Sequence, residues 1–224
     1  MAVPRRAPGV AVTASGPSLR GTPARIETPR LNLRSFREGD ALALTALVTA
    51  SIDHLTPWQP WATDEPVSIE QRRSALAALA AQFEAGEAAH YAVERRDDGR
   101  LLGSVALVTG KTEERIEIGY WVGASHVRRG YASEAAGALT QAALGPMGLT
   151  RVELWADADN EASNAVARRM GFEFVGAEPS YRHDEPAPLM HVWMAEPELL
   201  DEEILLPTEL WMFDRDGNEV SLTD

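Results

Sequence analysis

The chain has 224 residues, 45% of them hydrophobic, no cysteine and a formal net charge of -13. This length supports one full core, and the absence of cysteine excludes disulfides, a thiolate nucleophile, a cysteinyl intermediate and cysteine metal sites. No run approaches the ~18 apolar residues of a membrane helix, and His54, His90, His126, His183 and His191 show no metal-ligand spacing, so neither membrane nor metal is expected.

The charge is uneven. Residues 1–30 carry five Arg and one Glu, residues 196–224 carry ten acids and one Arg, and the remainder is -8. This balance argues against general affinity for nucleic acid and is compatible with a cationic amine acceptor, although acidity most often just serves solubility. Residues 1–24 are rich in Pro, Gly, Ala and Arg without hydrophobic period and are expected to be disordered. Gly9 to Ser15 is too short and polar for a secretory core, and nearby prolines break any amphipathic targeting helix, so a cytoplasmic protein is expected.

From Asp40 to Leu55, Leu42, Leu44, Leu47, Val48 and Ile52 recur at roughly helical spacing. Pro57 and Pro60 preclude a regular helix through His54-Leu55-Thr56-Pro57-Trp58-Gln59-Pro60-Trp61. Ser68-Ile69-Glu70-Gln71 fits a capping box, after which Ile69, Leu76, Leu79, Ala80 and Phe83 form one helix face ended by Gly86. His90 to Glu94 and Leu101 to Thr109 read as strands joined by a turn at Asp97-Asp98-Gly99-Arg100, with Gly103 marking a bulge or close approach.

Residues 116–136 carry the densest signal. Ile116, Ile118, Tyr120 and Val122 alternate with Glu117, Gly119 and Trp121, the period of a two-faced strand. Gly130 then opens a segment where Ala135, Ala136, Leu139, Ala142 and Ala143 recur at helical spacing until Gly145-Pro146. The first turn of a helix has unpaired N–H groups and the positive end of the helix dipole, so this loop, with Arg128 and Arg129, suits a phosphate. An ordinary tight connection has the same pattern.

Leu149 to Trp155 reads as another strand, followed by Ala-Asp-Ala-Asp-Asn-Glu-Ala-Ser-Asn-Ala-Val-Ala-Arg-Arg-Met-Gly-Phe. Here the sequence resembles the GCN5-related N-acetyltransferase (GNAT) superfamily, and within it the group that acetylates ribosomal-protein N-termini. In that family an Arg/Gln-x-x-Gly-x-Gly/Ala turn holds the acetyl-CoA pyrophosphate, and a downstream Asn-x-x-Ser…Gly-Phe helix flanks the pantetheine. The matching segments are Val127 to Ala132 and Asn160 to Phe172. Ile26 to Arg34 looks like the family's opening strand, so the resemblance covers roughly residues 25 to 195. The turn's first position is Val127 rather than Gln or Arg, which removes one side-chain contact but none of the backbone donors of Arg128, Arg129, Gly130, Tyr131 and Ala132.

The resemblance implies a GNAT-type α/β (α+β) fold, with a mixed, mostly antiparallel sheet flanked by helices, and the order of strands and helices agrees. It also implies direct acetyl transfer from acetyl-CoA to a primary amine, either a protein N-terminus or a small molecule. Attack needs a neutral amine, whose pKa is near 7.7–8.0 for a peptide N-terminus and 10.4 for lysine. Glu117 is the family-like base, read against an ordinary solvent-facing strand residue. A backbone N–H near Trp121 or Val122 would serve the oxyanion. Ser163 would supply the departing thiolate with a proton or hydrogen bond while Asn160 orients the pantetheine, although Asn and Ser are also common helix caps. Trp58 and Trp61 would form an apolar wall for the amine, or merely anchor their loop. Tyr181 is a further acid or substrate contact unless it is a surface tyrosine. The reading from another class is a noncatalytic acyl-CoA-binding or sensing module.

Leu189 to Ala195 reads as the last core strand. In the acidic extension, Glu209-Leu210-Trp211-Met212-Phe213 and Glu219-Val220-Ser221-Leu222 flank a spacer containing Asp216-Gly217, a hairpin signal. An exposed Leu-Trp-Met-Phe run invites association, so it is expected to pack on the domain or on a second subunit, the latter giving a homodimer, rather than to form a disordered solubility tail, which those aromatics disfavour.

Overall fold

The computed structural model describes residues 19, 21–110, 112, 115–181, 187–202, 204, 207 and 209–221. Most of the N-terminal segment, His183 and Leu222 lie outside the described residues.

The strands are β1 (Arg25–Glu27), β2 (Leu31–Ser35), β3 (Ala89–Arg95), β4 (Leu101–Thr109), β5 (Ile116–Val122), β6 (Val152–Asp157), β7 (Glu173–Pro179), β8 (Leu189–Ala195), β9 (Trp211–Phe213) and β10 (Glu219–Val220). They form one ten-stranded sheet in the order β10-β9-β1-β2-β3-β4-β5-β6-β8-β7. Every neighbouring pair is antiparallel except β5 and β6. The helices are α1 (Ala41–Thr49), α2 (Ile52–Leu55), α3 (Ile69–Ala85), α4 (Tyr131–Leu144) and α5 (Glu161–Arg169). Among the described residues no helix is long and apolar enough to cross a membrane.

The opening segment divides into two strands. Pro29 cannot donate to a ladder, and Thr28 closes the turn, with the Leu31 N–H donating to Thr28 Oγ1 at 2.9 Å. The helical pattern over Asp40 to Leu55 likewise divides at Ala50 and Ser51 into α1 and α2. The capping box of α3 is formed, with Ser68 accepting from Gln71 N–H and Gln71 reaching back, and Gly86 closes the helix in the left-handed region. Gly103 is a close approach, since a Cβ there would lie 2.1 Å from the Trp121 carbonyl oxygen, and the β3–β4 register shifts beside it. The sixth strand begins at Val152 and runs on to Asp157.

One face of the sheet is covered by α4 and α5, the other by α1 and α3. Ala135, Ala136, Leu139, Ala142 and Ala143 of α4 join Ile116, Ile118, Val152 and Leu154 in the larger core, while Leu44, Val48 and Leu76 pack with Ala92 and Leu101 in the smaller. Every α4 residue except Ala132 is buried, because the C-terminal extension lies over its outer side. Leu199 joins the core, the Gln141 side-chain amide donates to the Pro207 carbonyl at 3.0 Å, and a Cβ on Gly171 would meet Leu199 at 2.9 Å. Small side chains suit a helix enclosed all round. The extension then adds β9 to the β1 edge, with Met212 buried and the Arg25 guanidinium 3.9 Å from the Phe213 ring centre. Strands β1 to β4 separate this hairpin from β5.

Candidate active site

The sheet opens between β5 and β6. These parallel strands share one register pair, Glu117 opposite Glu153, although β5 pairs with β4 along all seven residues and β6 with β8 along all six. Beyond Glu117 the two strands are not paired with each other, and the sheet offers backbone polar groups to the gap instead of to a neighbouring strand. Gly119 adds width: a Cβ built there meets nothing within 4 Å.

At the far end of β5 lies the turn into α4. Arg128 adopts φ 58° and Gly130 φ 80°, two left-handed residues two apart, and the helix begins without a side-chain cap. Such a turn points successive N–H groups into one concavity. Arg128 and Arg129 are exposed, and neither takes part in an ion pair among the described residues. Next to them His126 is buried; burial first, then the charges of Arg129, Arg100 and Arg95, lowers its pKa, so the positive charge at the turn is that of the arginines.

A clamp from the β1–β2 turn holds this loop. Glu134, buried in the first turn of α4, accepts from Arg30 Nε at 2.6 Å and from Thr28 Oγ1 at 2.6 Å, while Arg30 Nη1 donates to the Arg129 carbonyl at 2.9 Å. Arg30 also lies over the Tyr131 ring, and a Cβ on Gly130 would come within 3.2 Å of its Nη2. Nothing local in the sequence marks this clamp; its halves lie 104 residues apart.

Two groups of side chains line the gap from opposite faces. On the helix face Tyr120 reaches α5, its hydroxyl 2.9 Å from Ser163 Oγ. Asn160 is the N-cap of α5: its side-chain oxygen accepts from Ser163 N–H at 3.1 Å. Asn164, which is buried, donates to the Asp157 and Asn160 carbonyls and accepts from Trp193 Nε1, each at 2.9 Å, fixing the start of α5 against β6 and β8.

On the other face, Glu117 and Glu153 are each 3% exposed. Tyr181 donates its hydroxyl proton to Glu117 Oε2 at 2.7 Å and meets the Trp155 ring edge to face at 5.2 Å. Trp155 Nε1 donates to Glu153 Oε2 at 3.0 Å, and Arg115 Nη1 lies 3.3 Å from Glu153 Oε1. Farther along β5, Trp121 packs against Trp61 with ring centres 5.6 Å apart, and Trp61 donates to Gln59, which in turn reaches the Tyr120 carbonyl at 3.4 Å. Glu117 is therefore not a solvent-facing strand residue; it is a buried acid at the one β5–β6 register pair, held by Tyr181. Trp58 is exposed, and no ring contact is recorded for it among the described residues. The motifs of the sequence do not mark Glu153, Trp155 and Tyr120 as site residues, although a lone acid inside an apolar strand is a visible signal at position 153 as at 117.

Residues 30–173 match the family model described as an acetyltransferase (GNAT) domain. The chain is 32% identical over 164 residues, 73% of its own length and 90% of the relative's, to the uncharacterized N-acetyltransferase YoaA of Bacillus subtilis (strain 168). Mycobacterium smegmatis RimJ, solved with a CoA-disulfide, superposes with a TM-score of 0.71 at 24% identity, covering 80% of this chain and 90% of RimJ. RimL, a ribosomal L7/L12 alpha-N-protein acetyltransferase solved with coenzyme A, gives a TM-score of 0.68 at 22% identity, covering 80% and 98%. The uncapped, arginine-bearing turn at the end of a strand that parts from its neighbour is thus part of a matched domain, and the chain belongs to the GNAT acetyltransferase family.

Proposed function

We propose that this N-acetyltransferase binds acetyl-CoA in the gap between β5 and β6 and transfers its acetyl group directly to a primary amine that enters from the aromatic face. The observation that carries the proposal is the single β5–β6 register pair: the strands part just beyond a buried glutamate, and the opening leads to an uncapped helix start. The first-turn N–H groups of Tyr131 and Ala132, with Arg128 and Arg129, would take the pyrophosphate. Pantetheine would run along Trp121 and Val122, and a β5 backbone N–H would receive the carbonyl oxygen as charge develops on it.

In this scheme the amine nitrogen attacks the thioester carbon and loses a proton to Glu117, directly or through one water. The hydrogen bond from Tyr181 holds the Glu117 carboxylate in place. The C–N bond forms, the C–S bond breaks with its electron pair on sulfur, and Ser163 supplies a proton or a hydrogen bond to that sulfur. Trp61, Trp121, Trp155 and Tyr181 would flank the acceptor's apolar part, and the acids beneath suit its positive charge before deprotonation. The acceptor is the N-terminus of a protein or a small amine, and the setting is the cytoplasm. A noncatalytic acyl-CoA-binding module has no need for a glutamate buried and hydrogen-bonded at the parting of the strands. The C-terminal hairpin, which could have covered the cleft in such a module, sits at the β1 edge.

The test is release of free CoA when acetyl-CoA and a panel of N-terminal peptides and small amines are offered to the full-length protein, with acetyl-CoA affinity measured separately by calorimetry. Binding with amine-dependent CoA release is expected. Binding without release for any amine would support the sensing module, and absence of binding would remove both readings.

A further inference from the structure

An aliphatic hydroxyl carries one proton and can accept two hydrogen bonds, so the group resting on Ser163 Oγ decides where its proton points. That group is Tyr120. Its hydroxyl lies 2.9 Å from Ser163 Oγ and 3.4 Å from the Ser163 carbonyl, and O–H···O bonds cluster near ~2.7–2.8 Å, so the side-chain contact is the stronger one. Either oxygen could donate. Burial pushes the Tyr120 phenol up to about 12, against the opposing effect of the Ser163 bond, which leaves it protonated at neutral pH and still a better donor than an aliphatic alcohol. The serine backbone is also fixed, because its N–H is held by Asn160 and the helix start by Asn164.

We infer that Tyr120 is a positioning residue for departure of the thiolate: its phenol donates to Ser163 Oγ and thereby turns the serine proton toward the gap between β5 and β6. The electron pair of the broken C–S bond stays on sulfur, the Ser163 O–H bonds to it, and the sulfur takes its proton from Ser163 or from water on release. With a proton from Ser163, water restores the serine. Tyr120 keeps its own proton throughout. The inference rests on the reading of Ser163 as the group facing the thiolate and extends it to the strand residue that orients it.

The experiment is a double-mutant cycle on the full-length protein with Tyr120→Phe and Ser163→Ala, reading kcat, acetyl-CoA KM, acetyl-CoA affinity and thermal midpoint. Phe keeps the ring in its place in the core and removes only the hydroxyl. Tyr120→Phe is expected to lower kcat about tenfold with acetyl-CoA affinity and KM nearly unchanged, and to have no further effect once Ser163 is Ala. A kcat unchanged by Ser163→Ala would overturn the underlying reading of Ser163. A loss in Ser163→Ala with none in Tyr120→Phe, or a Tyr120→Phe loss of the same factor in both backgrounds, would overturn the role of Tyr120 while leaving Ser163 in place. A rise in KM that parallels loss of acetyl-CoA affinity, with kcat kept, would mean that the hydroxyl only shapes the binding gap.

Discussion

Arg128 is a non-glycine residue in the left-handed region, at φ 58°, beside a glycine at φ 80° in the same turn. A side chain there costs about 1–2 kcal/mol, and such costs persist where function requires the conformation. Replacing Arg128 with Gly removes that cost, while added freedom of the unfolded chain takes back about 0.4–1 kcal/mol. The net effect on stability therefore runs from nearly zero to about 1.5 kcal/mol in favour of the variant. Affinity should move the other way. Arg128 is exposed and makes no ion pair among the described residues, so its bond to a phosphate is a charge-assisted one discounted for solvent, on the order of 1.5 kcal/mol or about tenfold in Kd. Urea denaturation of the apo protein and calorimetric titration with acetyl-CoA measure the two quantities independently. Stability held or raised together with a tenfold weaker Kd is expected. Destabilisation beyond 1 kcal/mol would refute the strain argument, and an unchanged Kd would show that the phosphates do not lie at this turn.

Glu117→Gln is expected to lower kcat by about 10²–10⁴ while calorimetric acetyl-CoA affinity stays the same; unchanged turnover would eliminate Glu117 as base. Gly119→Leu places a side chain in open space beside Glu117 and is expected to fold normally but raise the acceptor KM several-fold, so an unchanged KM would move the acceptor elsewhere. Removing residues 196–224 strips Leu199 and Met212 from the core and uncovers α4, and a loss on the order of 3 kcal/mol is expected at about 1.5–3 kcal/mol per buried side chain; an unshifted urea midpoint would refute the packing. For Asp40, burial alone would raise the carboxyl, but hydrogen bonds from the Arg34 side chain and the Arg37 N–H hold it below the usual range. A pKa lowered by folding gives stability that is present above the unfolded value of about 3.9 and lost as pH falls below it. Asp40→Asn should therefore flatten the acid limb of stability below about pH 4, and an identical acid limb in both proteins would refute the assignment.

What could be read from the chain alone was what the chain decides locally. The alternation in Ile116 to Val122, the glycine at 130 and the small residues of α4 are adjacent in sequence, and strand, turn and helix follow from them in that order. The division of the opening segment at Thr28 depends on a side-chain hydrogen bond that periodicity does not register. Periodicity does not mark strand β7, because it is a largely exposed edge whose alternation is broken by a register shift between Phe174 and Gly176. The site shows the same limit. Glu117 and Ser163 could be singled out by resemblance, but their partners Tyr181 and Tyr120 come from 64 and 43 residues away, and Trp61 meets Trp121 across a similar span.

In the proposed scheme the two sides of the gap divide the work because a strand alternates. Residues 116, 118 and 120 of β5 face α4 and α5, so Tyr120, at the end of that series, meets Ser163. Residues 117, 119 and 121 face the opposite way, so the glutamate, the open glycine and the tryptophan line a second approach. A one-residue slip of β5 would exchange these sets, putting a carboxylate into the α4 core and isoleucines into the cleft. The register is held by seven pairs with β4 and by the tight approach of Gly103 to Trp121, while the β6 side contributes a single pair. The strand thus owes its alignment chiefly to β4, so in the proposed scheme its other edge beyond Glu117 can receive a cosubstrate without loss of that register.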